Sequence, residues 1–285
     1  MQDRPHQSDG PLLSRAWCLQ EDLLSARKLY YTKDRSYWHC DHLAESEDGL
    51  ADPSFGREVT DVFFNYSTGS QLAWDTSQAW YVNLIGRYYS GRLVTAAEGR
   101  LIAVAGLARQ VATVIKSRYL ADLWRTSIQV GLLWQGCGNM KHKTYCAPSW
   151  SWASHDGEVF WHGFAGLGGP GPIISGCGYL QARIDLLSSD VYGGVRLGTL
   201  TLCSRIVAVV LEHVGGGRLR ASCEGVRGWA FLDEKMCLSD TSFVAIPILD
   251  DMSLLVTKNP GHGFYRRVGI WQIPKKTWYT SDLTP

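Results

Sequence analysis

Apolar positions recur at helical intervals in the first half of the chain and in short β-branched runs in the second. In SQAWYVNLIGRYYSGRL, Trp80, Leu84 and Tyr88 fall at i, i+4 and i+8, one face of a helix, with Ser77 placed to cap it. EGRLIAVAGLARQVATVI sets Leu101, Ala105 and Ala108 on one side, with Ala112 and Ile115 nearby. It is apolar almost all round, which predicts a buried helix. RYLADLWRTSIQVGLLW spaces Leu120, Leu123, Trp124, Ile128, Leu132 and Leu133 at helical intervals. Three consecutive helices are therefore predicted across about 77–134. Upstream, Leu13, Trp17 and Leu24 mark a shorter helical stretch, and KLYYTKDRSYWHC reads as two short strands turning at Lys33-Asp34-Arg35. Residues 43–75 are acidic and aperiodic and predict an irregular loop.

Beyond residue 147 the period changes. GTLTLCSRIVAVVLEHV, GWAFLDE, SFVAIPILDDMSLLVTK and FYRRVGIWQIP are strand-like runs bounded by Gly, Asp-Asp and Asn-Pro-Gly. IPILDDMSLLVTK predicts a hairpin with Asp250-Asp251 in its turn. The Gly-rich run 163–178 reads as a connection. The predicted fold class is α+β: an N-terminal helical part packed on a C-terminal antiparallel β-rich part. Residues 1–30 form a leading segment, 31–146 a mainly helical region and 147–285 the β-rich region. In APSWSWASHDG, Pro148 forces an extended entry, and strand alternation puts Trp150 and Trp152 on one face, joining the two parts.

Composition narrows the function. The chain has 285 residues, 45% apolar and 19% charged, with net charge +1, so it is globular and has no strong field for nucleic acid or an anionic membrane. There is no run of about 18 apolar residues to span a bilayer. The polar start lacks a secretory h-region, and the eight cysteines show no CxxC pair, which together suggest free thiols in the cytoplasm. Twelve Trp and thirteen Tyr predict an aromatic core, with Trp17, Trp124, Trp150 and Trp152 as candidate binding residues.

No GxSxG, HExxH, GxGxxG or GxxxxGK[ST] motif occurs. Cys137, His142 and Cys146 are zinc-ligand types in one loop, and His39, Cys40 and His42 another such group, but each lacks a fourth ligand. No cofactor or metal is therefore expected. Candidate polar groups at the joint are Arg87, His155, Asp156 and His162.

Several segments in one order resemble a known family. RAWCLQEDLLSAR, WYVNLIGRYYSGRLVTAAEGRLIAVAGLA, YLADLW with LLW, YCAPSWSWASHDG and FYRRVGIW are similar to the fungal HET (heterokaryon incompatibility) proteins over about 11–160, and more loosely over 200–275. The family's Y-x-x-L-S-Y-x-W-G opening is not in this sequence. Only the end of the HET domain, about 11–26, is matched, so the chain resembles the C-terminal body of such a protein, as a short paralogue or a truncated product. Asp22 stands where a basic residue is usual, and the 97–100 segment is shifted. The resemblance implies non-self recognition leading to growth arrest or cell death, through a partner protein. The HET domain looks distantly similar to TIR domains, some of which cleave NAD, and Glu21 is the carboxylate such chemistry would use. The partners for such chemistry are missing here, and the residues themselves read as a structural network of Arg15, Gln20 and Glu21 around a helix that Trp17 anchors. The favoured expectation is a non-catalytic recognition body. The alternative is a fungal enzyme acting on a small molecule in an aromatic pocket at the α/β joint.

Overall fold

A computed structural model of the chain describes residues 12, 14–33, 35–40, 42–50, 76–137, 142, 144–161, 178–239, 241–259, 261 and 263–273. Among these, 41% lie in strands and 23% in helices. The protein is mainly β, and the α+β division into a three-helix region packed on a separate β part is overturned. Short helices and small sheets alternate from the N-terminus onward.

Helix Ala16–Leu24 buries Ala16, Leu19 and Leu23, at i, i+3 and i+7. The predicted face was out of phase: Trp17 and Leu24 are 36% and 41% exposed, and Leu13 lies outside the described residues. The predicted hairpin forms as β1 (Arg27–Tyr31) and β2 (Ser36–Cys40), and β3 (Ala44–Ser46) pairs with β2. The 31–146 region therefore opens with a sheet. Of the loop expected at 43–75, residues 44–46 are strand and 51–75 lie outside the described residues.

The first of the three predicted helices is a π-helix, Ala79–Tyr89, followed by Ser90, whose N–H donates to the Ile85 carbonyl five residues back at 2.8 Å. This winding is wider than the α-helix. The repeat lengthens, so Tyr89 rather than Tyr88 follows Trp80, Leu84 and Ile85 into the core. The second predicted helix forms in two pieces, Gly99–Ile102 and Ala105–Ile115. The third gives way to a hairpin. β4 (Tyr119–Leu120) and β5 (Leu123–Trp124) pair across Ala121 and Asp122, whose φ values are 46° and 71°. Positive φ at both central residues is the type I′ geometry. Residues 120–124 are all buried, so apolar spacing alone does not separate hairpin from helix here. One-turn helices at Arg125–Ser127 and Ile128–Gly131 follow.

β6 (Trp134–Gly136) pairs with β7 (Val159–Trp161), and β8 (Gly178–Leu186) with β9 (Val195–Cys203) in a long hairpin. The last six strands are β10 (Val207–Val214), β11 (Arg218–Cys223), β12 (Val226–Leu232), β13 (Phe243–Leu249), β14 (Met252–Lys258) and β15 (Tyr265–Gln272). They close an antiparallel barrel in the order β10-β11-β12-β15-β14-β13. The strand runs and the Asp250-Asp251 turn are where the sequence puts them, with Leu249 paired to Met252. Leu211, Phe243, Leu255, Val268 and Trp271 fill the barrel interior. Met252, Leu254, Val256 and Ile270 point outward into the core of the preceding body. Burial on both faces explains the continuous apolar run of β14, whereas β10 to β12 alternate because their outer face meets water.

Trp150 and Trp152 do not sit on a strand. Ser151 N–H donates to the Pro148 carbonyl at 2.9 Å, and Trp152–Ser154 is a 3₁₀ turn whose Ala153 N–H donates to Ser151 Oγ at 3.2 Å. Both indoles enter the main core, but against different neighbours. Trp152 meets Tyr89 edge-on at 5.7 Å, while Trp150 packs beside Gly198 of β9. Among the described residues, no helix is long and apolar enough to cross a membrane.

Candidate functional site

Arg100 in EGRLIAVAG and Asp122 in RYLADLW are ionisable residues beside apolar runs, and the fold brings them into one cage. The I′ turn holds the Asp122 carboxyl inside the core at zero exposure. The Tyr119 hydroxyl donates to it at 2.8 Å. The indole N–H groups of Trp152 and Trp80 also face it, without reaching full hydrogen-bond geometry. Burial is the dominant effect and pushes its pKa up to about 8, against the pull of these donors and of Arg100. Arg100, 2% exposed, donates to the Ser90 and Gly157 carbonyls at 2.6 and 2.8 Å, and its guanidinium lies 5.2 Å from the Trp152 ring centre. The Tyr89 hydroxyl donates to the Arg100 carbonyl. The cage joins the π-helix, the β4–β5 hairpin and the Trp152 turn. Asp122, Arg100, Trp80 and Trp152 are all closed to solvent.

A second cluster locks the barrel to the body. Arg267 of β15 donates to the Asp233 carboxylate and to the Trp134 carbonyl, and its backbone N–H donates to Ser149 Oγ at 3.2 Å. Burial pushes the Asp233 carboxyl up and pulls Arg267 down, so both charges persist through their pairing. The cleft beside them, lined by Trp134, Ser149, Ser154, His155, Asp233 and Arg267 among others, has about 20 Å³, space for one water.

The sequence candidates do not converge. Trp124 is fully buried, edge-on to Trp80 at 5.6 Å, and its backbone N–H donates to the Tyr81 hydroxyl at 2.8 Å. Trp17 is on the surface side of its helix. Glu21 is exposed, while Gln20 accepts the Gly106 N–H at 2.6 Å and ties two helices together. Arg87 is exposed beside Tyr88. His155 is buried, donates through Nε2 to the Cys137 carbonyl at 3.0 Å, and burial lowers its pKa. Asp156 is exposed, 3.8 Å from His142. His162 lies outside the described residues. Cys146 is buried, donates to the Ala153 carbonyl at 3.1 Å, and burial pushes its thiol up to about 11, the opposite of a metal-binding or nucleophilic thiolate. Among the described residues no three of His, Cys, Asp and Glu gather as a metal site, so neither the Cys137, His142, Cys146 set nor the His39, Cys40, His42 set assembles one.

The reading of the sequence passed over Asp122, Arg100, Asp233 and Arg267. The signal available for the first two was an ionisable residue adjoining an apolar run. Compared with models of known families, with curated proteins and with solved structures, the chain finds no match.

Proposed function

We propose that the chain is a recognition body of the HET type, a scaffold that binds another protein through its C-terminal strands, 178–273, and supplies no chemistry itself. The ordered segments that resemble the HET family support this reading, which sets the protein in fungal non-self recognition in the cytoplasm. The observation that carries it is the contrast between a closed interior and an apolar exterior. The indoles that a ligand pocket would use are spent in the core. The side chains left to solvent within 178–273 include Leu180, Leu197, Val210, Trp229 and Phe264, between 39% and 68% exposed. Leu197 and Phe264 line an open groove of about 520 Å³ beside the β8–β9 hairpin. Val210 and Trp229 lie instead on the outer face of β10–β12, and apolar side chains exposed on such surfaces can serve as interaction sites.

For the alternative, an enzyme with an aromatic pocket at the joint, the cleft beside Trp134 and His155 has about 20 Å³ among the described residues, less than a small-molecule substrate needs. Cross-linking of the intact protein in a fungal lysate, with mapping of the linked residues, tests the proposal. The expected result is one partner linked from residues of 178–273. Finding no specific partner overturns it, as does a small molecule that binds in the cleft beside Trp134 and raises the melting temperature.

A further inference from the structure

The outer face of β10–β12 carries Trp229 in an arginine setting. Strand alternation sends Val210 and Glu212 of β10, Arg218 and Arg220 of β11, and Arg227 and Trp229 of β12 outward on one face. Packing gives Trp229 no reason to be there. The barrel interior is already filled, by Trp271 among others, and on β12 it is Phe231 that packs against the core of the body. Trp229 is 39% exposed and Val210 68%. Arg218 and Arg220 set their guanidiniums 5.7 and 6.0 Å from the Trp229 ring centre. Arg220 also pairs with Glu212 at 3.4 Å. Among the described residues, Arg218 and Arg227 take part in no ion pair.

Tryptophan and arginine are the residue types that dominate binding energy at protein interfaces. Guanidiniums without carboxylate partners, fixed on a rigid sheet, complement carboxylates and can hold them by two parallel hydrogen bonds. The area is small: three arginines offset by Glu212 and by Glu224 in the β11–β12 turn. Tight binding of a nucleic-acid backbone uses about 6–10 phosphate contacts, more than this face offers. A short acidic peptide with one apolar side chain fits better: its carboxylates meet Arg218 and Arg227, and its apolar group covers Trp229 and Val210.

We propose that this outer face of β10–β12 docks an acidic peptide segment of a partner protein. The proposal rests on the protein-recognition reading above and names the surface and the chemistry for it. The test titrates the intact protein with a fluorescein-labelled Glu/Asp-rich dodecapeptide bearing one leucine, and with a labelled single-stranded oligonucleotide of similar charge. The peptide is expected to bind with an affinity that falls as salt is added. Arg218→Glu and Arg227→Glu should each weaken it by about tenfold or more with unchanged melting temperature. Trp229→Ala should weaken it similarly, and Trp229→Tyr should restore it. Absence of peptide binding to the intact protein overturns the proposal, as do charge reversals without effect or tighter binding of the oligonucleotide. A lysate partner still cross-linked to the Arg218→Glu/Arg227→Glu variant removes this surface and leaves the recognition reading standing. If the peptide binds as expected but no lysate partner is found, the recognition reading falls and the chemistry of the face stands.

Discussion

The guanidinium carbon of Arg267 lies 3.4 Å from the centre of the Trp134 indole, on a side chain that also holds Asp233. One residue of β15 thereby fastens the end of β12 and the start of β6. Removing either charge of a buried pair leaves the other uncompensated. Arg267→Ala and Asp233→Ala are each expected to cost about 3–5 kcal/mol in urea unfolding. The double variant should lose clearly less than the two losses added together. Strict additivity would show that the two residues do not act as a pair.

Asp122 predicts an unusual pH dependence. Its carboxyl titrates near pH 8 in the fold and in the ordinary carboxylate range when unfolded. Between those limits the native state holds a proton that the unfolded chain has lost. Its contribution to stability is therefore complete in acid and falls as pH rises, by up to about 1.4 kcal/mol per pH unit. Asp122→Asn keeps the shape without the titration, so it should flatten the melting profile over this window and melt above the wild type at pH 8. A variant with the wild-type slope would remove Asp122 as the cause.

The three tryptophans nearest the opening helix and the joint should separate by burial. Trp152→Ala empties a fully buried site and should cost about 3–5 kcal/mol. Trp150→Ala, at the margin of the same core, should cost less, and the partly exposed Trp17→Ala least. Denaturant midpoints give the order, and a larger loss at Trp17 would contradict the helix phase described above.

Gly228 marks a close approach inside the barrel. A Cβ there would meet the Gln272 carbonyl oxygen at 2.1 Å and the Trp271 indole nitrogen at 2.6 Å. Gly228→Ala should therefore destabilise by about 1–3 kcal/mol or more, as overpacked cores do. Gly263→Ala, with open space around it, should stay within about 0.5 kcal/mol of wild type. Thermal unfolding of the two variants distinguishes these outcomes.

The barrel strands were legible because their turns carry turn residues and because β10 and β12 alternate. The β4–β5 hairpin was not, since every residue from Leu120 to Trp124 is buried and its left-handed positions hold Ala121 and Asp122 instead of glycine. Trp150 and Trp152 alternate like a strand, but the Pro148 carbonyl and the Ser151 hydroxyl capture local N–H groups and curl the chain into a turn. The face of the first long helix slipped by one residue at Tyr89 because an α-helical repeat was applied to a π-helix. Asp122 and Arg100 carry no motif, and only the fold, by taking ionisable side chains into the core, sets them apart.

Closure of the barrel gives each of its six strands a partner on both sides. The β8–β9 hairpin differs, because among the described residues its two strands pair only with each other. Aggregation in crowded or overexpressed samples should start there, by strands of neighbouring molecules annealing along its margins. A lysine or proline introduced on those margins is the change most apt to keep the protein monodisperse.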